Sequence, residues 1–254
     1  MRKKTWCILI GILLLSVAGY KFFGQLNDYC ESSNLYEDTV TQYVSVSKDM
    51  NSVINETNWA ELIDVDIPDL KKINNDIVGW IYFENEDISY PILYSGDDDK
   101  YLRKAYTGKD VMAGSIFMEG NNSSDFSDAH TIIYGHNMKD LSMFGKLRYY
   151  ASDKNYISNH EYFQIITEEK KYRYRIISYK VVSEDSDVYT VFKNGGREFE
   201  MFVRNVLQKG SYLNNTEVID SMDHLITLST CSDDNRFVVS AVRCDERNVE
   251  NNSL

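Results

Sequence analysis

Short runs of apolar and aromatic residues, separated by Asn, Asp, Ser and Gly, recur from residue 80 onwards: 80–83, 88–93, 115–118, 131–134, 162–167, 172–182, 225–230 and 237–243. Runs of this length, rich in Val, Ile, Tyr and Phe, predict β-strands, and the turn residues between them predict loops. Many strands with few helices predict a mainly β fold, a closed or nearly closed barrel. Two stretches break this texture. Residues 141–150 follow the turn Gly135-His136-Asn137, and 197–208 carries Phe199, Phe202, Val203, Val206 and Leu207 at helical spacing before Gly210. Both predict helices packed on the barrel, the second an extra helix just before the last two strands. Upstream, Leu35, Val40, Tyr43, Val44, Met50, Val53 and Ile54 predict one amphipathic helix or two short ones within 31–57. Asp66-Ile67-Pro68-Asp69 has the acidic start and early proline of another short helix.

The first twenty residues follow a different pattern. Arg2, Lys3 and Lys4 precede an uncharged run from Trp6 to Tyr20, after which come Lys21, Phe22 and Phe23. This predicts one transmembrane helix at 6–23, close to the roughly 20 residues that span a bilayer, with Lys21 able to reach back to the interface. Positive charge before the run predicts an N-terminus inside and the remainder outside the cell. The alternative is a cleaved signal peptide, for which Ser16-Val17-Ala18 offers small residues. The chain then divides into a cytoplasmic 1–5, an anchor 6–23, a helical linker 24–65, a globular domain 66–244 and a polar tail 245–254.

Charge and cysteine content narrow the chemistry. At 254 residues and a net charge of −12, the chain can bury one full-sized core and lacks the basic footprint of a nucleic-acid binder. Its four cysteines, Cys7, Cys30, Cys231 and Cys244, are too few for a disulfide framework. On two adjacent strands joined near residue 233, Cys231 and Cys244 would stand too far apart to bond. No paired-ligand spacing supports a zinc site, and Asp97-Asp98-Asp99 lacks the glycine and distal glutamate of a calcium loop. No cofactor or metal is expected.

The most informative motif is Thr227-Leu228-Ser229-Thr230-Cys231, followed by Arg236 at the start of Phe237-Val238-Val239. A cysteine ending one strand and an arginine beginning the next face each other across a hairpin. A thiol nucleophile and a cation for a developing oxyanion thereby come together, lacking only a base. Free cysteine is also a common small core residue, and Arg236 could be a solvated edge charge. Of His130, His136, His160 and His224, His136 sits where the strand 131–134 ends in a loop, whereas His130 lies at that strand's opposite end. Arg243 competes with Arg236 but falls seven residues further along the strand, towards the far end of the barrel.

These residues resemble the sortase family, the exported cysteine transpeptidases of Gram-positive bacteria. The likeness rests on the Thr-Leu-Ser-Thr-Cys and Arg-Phe-Val-Val strands, the turn Tyr134-Gly135-His136-Asn137-Met138 and the anchor. Ile77-Val78-Gly79-Trp80-Ile81, Ser89-Tyr90-Pro91-Ile92-Leu93, Gly114-Ser115-Ile116-Phe117, Ser142-Met143-Phe144-Gly145 and the extra helix are similar to class B. The resemblance covers about 66–243. It implies an eight-stranded sortase-type barrel with N-terminal helices. It further implies Cys231 as nucleophile, His136 as general acid and base, and Arg236 as the group that holds substrate and stabilises the oxyanion. Leu102, Tyr134, Tyr189, Thr190, Ser229 and Thr230 would line the peptide groove, with core packing the alternative for Leu102 and Tyr134. Thr190 stands where the family often has a larger aliphatic residue. The implied partners are a surface protein bearing a sorting signal and an acceptor amine from a peptidoglycan precursor or a pilin. Two competing readings are a papain-like cell-wall peptidase, whose cysteine sits on a helix and precedes its histidine, and a non-catalytic wall-binding module.

Overall fold

The computed structural model describes residues 2–46, 58–208, 224–232 and 235–249. It opens with α1 (Arg2–Tyr43), whose early turns expose Leu13, Leu14, Leu15 and Phe23. Among the described residues this is the one helix long and apolar enough to cross a membrane. Its last turns bury Tyr36 and Thr39 against the domain. Tyr36 Oη donates to the Gly114 carbonyl at 2.6 Å, Thr39 Oγ1 and Tyr106 Oη meet at 2.7 Å, and Glu31 pairs with Lys109. The amphipathic stretch expected over 31–57 therefore stops being helical at Tyr43. There β1 (Val44–Val46) pairs antiparallel with β2 (Ile63–Val65), a ribbon that the apolar spacing does not reveal. Met50, Val53 and Ile54 lie outside the described residues. The helix expected near Asp66 is α2 (Ile67–Ile73), capped by the Asp66 side chain accepting from the Asp69 amide.

The barrel strands follow: β3 (Ile77–Phe83), β4 (Ser89–Leu93), β5 (Ile116–Met118), β6 (His130–Tyr134), β7 (Tyr162–Ile166), β8 (Lys170–Val182), β9 (Leu225–Ser232) and β10 (Asn235–Asn248). They close in the order β10-β8-β7-β3-β4-β5-β6-β9. Trp80, Ile81, Ile92, Ile116, Ile133, Ile165, Ile226, Leu228 and Val239 belong to one buried cluster, the barrel core. Two neighbouring pairs, β4 with β5 and β6 with β9, are parallel, so each needs a long crossover. The crossover before β9 carries α4 (Arg197–Gln208), whose Phe199 and Val203 bury Leu225, Ile177 and Val242 on the outside of the barrel. The helical spacing of 197–208 is thus the imprint of a helix lying on the sheet.

Two expectations need correction. Residues 141–150 are not one helix: Leu141 (φ 71°) and Met143 (φ 53°) take left-handed backbone, so only a 3-10 turn (Gly145–Arg148) and α3 (Tyr149–Ser152) form. The polar tail expected over 245–254 begins inside β10, where Asp245 to Asn248 pair with Arg173 to Lys170 after a register shift between Arg243 and Asp245. Polar side chains at a sheet edge read as a tail because one face of that ribbon meets water.

Candidate active site

Strand register sets the site. In the parallel pair β6/β9, Tyr134 lies opposite Ser229, and the Gly135 amide continues the ladder by donating to the Ser229 carbonyl at 3.1 Å. Two residues further along the two chains come His136 and Cys231. In the antiparallel pair β9/β10, Cys231 lies directly opposite Arg236. Adjacent strands are about 4.8 Å apart, so the backbones at 136 and 236 flank the backbone at 231 on its two sides. This is the hairpin expected from the sequence, and it brings the candidate base to the same end of the barrel.

Gly135 makes the turn into His136 possible. A Cβ there would stand 2.6 Å from Phe144 Cδ2 and nearer still to Ile116 Cδ1. His136 is half-buried, and its Nε2 lies 2.6 Å from the carbonyl oxygen of Leu102. A carbonyl can only accept, so Nε2 carries the proton and the tautomer is fixed. Desolvation lowers the His136 pKa below its ordinary value, the Leu102 bond opposes this, and the nearby Arg103 charge adds to the lowering. The ring is thus biased to its neutral form near pH 7.

Arg236 is partly buried, its guanidinium held 2.5 Å from Glu184 Oε1 and 3.2 Å from its neighbour's Asn235 carbonyl. Glu184 is itself mostly exposed. A water-exposed pair of this kind is worth little, about 0–1 kcal/mol, so it can open to let the arginine meet another acceptor.

The residues expected to line a peptide groove fall in different settings. Leu102 is 39% exposed, which rules out core packing. Tyr134 is half-buried, donates to Glu119 Oε2 at 2.8 Å and stacks its ring 6.3 Å from that of Tyr189. Tyr189, on a 3-10 turn (Asp187–Tyr189), meets Ser229 Oγ at 2.8 Å, so it lies over the strand that ends in Cys231. Thr190 follows, its carbonyl 2.7 Å from His130 Nδ1. Thr230 differs. Alternation places it with Leu228 and Phe237 on the core side, its hydroxyl buried with no hydrogen-bond partner among the described residues. Its side chain is therefore turned away from the face expected to bind peptide, leaving the Thr230 main chain there.

Arg243 lies far from this cluster. Its guanidinium sits 4.0 Å over the Tyr172 ring and bonds the Tyr174 hydroxyl and the Phe126 carbonyl, near the end of the barrel where β6 and β9 begin. Cys244 is an exposed residue whose thiol lies 3.4 Å from the Arg173 carbonyl. Burial of the sulfur pushes its pKa up to about 11, against partial relief from Arg173 and Arg175.

Comparison with known proteins identifies the family. The Sortase domain family model matches residues 81–244, more than half of the chain. Sortase B of Listeria monocytogenes is 34% identical over 230 residues, covering 90% of this chain and 89% of its own. The chain belongs to the sortase family, in its B class. Sortase B of Staphylococcus aureus is 29% identical, covering 92% of each chain. Among solved structures, Bacillus anthracis sortase B in complex with AAEK1 superposes with a TM-score of 0.71 at 28% identity, covering 87% of this chain and 99% of that one. This sortase is accordingly a cysteine transpeptidase with a mainly β, eight-stranded barrel, and the papain-like and non-catalytic readings fall away.

Sequence reasoning missed three residues that shape the site: Glu184, which pairs with Arg236; Glu119, which holds Tyr134; and His130, which bonds the Tyr189 loop. Glu184 and Glu119 lie in loops with no periodicity to mark them. The sequence and the structure both put His130 at the strand end away from His136, but nothing in the sequence links it to residue 190.

Proposed function

We propose that this sortase is anchored through residues 6–23 with its N-terminus inside the cell and its globular domain, from residue 66 through the end of β10 at Asn248, outside, where it joins surface proteins to the cell wall. The observation that carries the mechanism is the register that sets Cys231 opposite Arg236 on β9 and β10, with His136 two residues beyond the end of β6, the strand on the other side of β9. A solved Staphylococcus aureus sortase B–substrate complex, similar to this chain at 27% identity and a TM-score of 0.65, supports the reading that the barrel binds a substrate.

The reaction is a double displacement. His136 takes the Cys231 proton, and the thiolate attacks the carbonyl carbon after a threonine in the sorting peptide. The oxyanion that forms is met by the Arg236 guanidinium once it leaves Glu184. The C–N bond breaks as the imidazolium gives its proton to the departing amine, leaving a thioester on Cys231. A neutral acceptor amine of a peptidoglycan precursor then attacks, loses a proton to His136, and expels the thiolate, which regains it. With His136 biased neutral and a reference Cys pKa of about 8.5, the thiolate–imidazolium pair is a minor population at pH 7. Leu102, Tyr134, Tyr189, Thr190 and Ser229 line the peptide path, with Thr230 contributing main chain.

A library of fluorogenic peptides offered to the full chain in detergent tests the reading. Scission after threonine, made faster by an added amine that appears in the product, is the expected result. Scission at unrelated bonds, or rates and products unchanged by amine, would refute transpeptidation. Recovery of the chain in the membrane fraction, with the barrel cut by external protease, tests the topology.

A further inference from the structure

His130 plays no part in the chemistry above, yet it is fully buried, 0% exposed, in a polar setting of its own. Nδ1 lies 2.7 Å from the Thr190 carbonyl and Nε2 lies 2.9 Å from Thr227 Oγ1. The directions of these bonds follow from the partners. A carbonyl only accepts, so Nδ1 bears the proton. A neutral imidazole has one proton, so Nε2 accepts from the Thr227 hydroxyl. That hydroxyl has then spent its hydrogen, and the Ser240 hydroxyl, 3.2 Å away, donates to it. A single directed chain runs Ser240 to Thr227 to His130 to Thr190, tying β10, β9 and β6 to the loop beyond β8.

The main chain reinforces the tie. The His130 amide donates to the Phe192 carbonyl at 3.0 Å, and the imidazole ring packs 5.0 Å from that of Phe202 on α4. Between residues 187 and 192 the loop's own bonds are short-range: Tyr189 to Ser186, Thr190 to Asp187, and the Val188 amide to Ser186 Oγ. Bonds of that kind close a turn but do not fix it on the barrel. At its centre the polar contacts that do so include Tyr189 to Ser229 and His130 to Thr190, beside the packing of buried Val188 on Val238. The first faces the groove and is open to competition from a bound peptide. The second is buried beneath it.

We infer that His130 is a positioning residue for substrate binding: its Nδ1–H to the Thr190 carbonyl holds the 187–192 loop, and with it Tyr189, over the end of β9 where the peptide is bound. This rests on the proposed role of that loop as the cover of the sorting peptide, but the clasp itself does not. Burial without a charged partner lowers the His130 pKa to about 4, so the donor arrangement persists through the neutral range.

Two amide substitutions separate the two halves of the clasp. His130→Asn puts an N–H donor on Cγ, where Nδ1 is attached, and keeps a partner for Thr190. His130→Gln carries its amide one carbon further, towards Thr227, and leaves the Thr190 carbonyl without its donor. Both lose the ring, so a merely structural role predicts similar damage from each. Amide hydrogen exchange of residues 187–192 in the full chain without peptide is expected to accelerate by about tenfold or more in His130→Gln and to stay within about threefold in His130→Asn, the scale set by one hydrogen bond. KM for the cleaved peptide should rise about fivefold or more in His130→Gln only, with kcat within about threefold. Equal acceleration of exchange in both variants, or none in either, would overturn the clasp. Selective acceleration with unchanged KM would overturn the role of the loop in binding while leaving the clasp intact. The exchange readout needs no substrate, so it stands apart from the sorting-peptide reading.

Discussion

Gly114 joins the N-terminal helix to His136, the proposed base, and adding one methyl there should disable the site. Its φ is +57°, a left-handed conformation that costs an alanine about 1–2 kcal/mol. Its carbonyl accepts from Tyr36 at the end of α1. A Cβ at this position would stand 2.7 Å from the Tyr101 carbonyl oxygen and closer still to the Leu102 carbonyl oxygen, both main-chain atoms that cannot swing aside as a side chain can. The Leu102 carbonyl is the acceptor that fixes His136. Relief of the contact moves that oxygen, so Gly114→Ala should lose about 2–3 kcal/mol of stability, combining the conformational term with roughly one weakened hydrogen bond. It should also lower kcat by about tenfold or more, because the base is no longer held. Gly108, in the same loop with φ +86° and open space where a Cβ would go, provides the control. Gly108→Ala should cost about 1 kcal/mol and leave kcat unchanged. Urea unfolding and cleavage of a quenched peptide measure both quantities. Wild-type kcat in Gly114→Ala, or equal loss of kcat in the two variants, would refute the link from Gly114 through Leu102 to His136.

The other expectations concern charge and protonation. Arg236→Ala should lower kcat/KM by about 100-fold, roughly 2.7 kcal/mol, and Lys should rescue poorly because it lacks the planar fork. Arg243→Ala should lower the Tm but spare kcat/KM, since its guanidinium packs on Tyr172 at the far end of the barrel; the reverse pattern would reassign the arginines. At pH 7.5 iodoacetamide should modify Cys231 well before Cys244, whose thiol pKa is pushed to about 11, as peptide mapping would show; comparable rates would contradict this. Because the folded-state pKa of His130 is depressed to about 4 against an ordinary 6.5, the unfolded chain binds the extra proton first. The stability at stake, on the order of 3 kcal/mol, is complete above pH 6.5 and is lost as the pH falls through about 4; denaturation of His130→Asn across pH 7 to 4 should lack this component.

Much of the fold was legible because a barrel strand with one face inward writes itself as a short apolar run, and β3 to β10 all do so. Boundaries failed where tertiary pairing overrides local pattern. Val44–Val46 reads as part of an amphipathic helix until β2 pairs with it, and Asp245 to Asn248 read as a tail until β8 does. Leu141 and Met143 look like helix formers, yet both take positive φ in the turn beside His136, a strain visible only in the backbone. Cys231 facing Arg236 was legible because hairpin register follows from spacing, whereas His136 beside them rests on the β6/β9 pairing, which joins strands far apart in sequence. Glu184 and the His130 clasp were not, since each depends on a contact between loops or strands far apart in sequence.

The central claim is that Cys231 forms the thioester. Acid quenching of the full chain during cleavage of a threonine-containing sorting peptide, followed by peptide mapping in a mass spectrometer, tests it directly. The account predicts an acyl adduct on the peptide containing Cys231, removed by an added amine, absent from Cys231→Ala and unaffected by Cys244→Ala. An adduct on Cys244, or continued scission by folded Cys231→Ala, would contradict it.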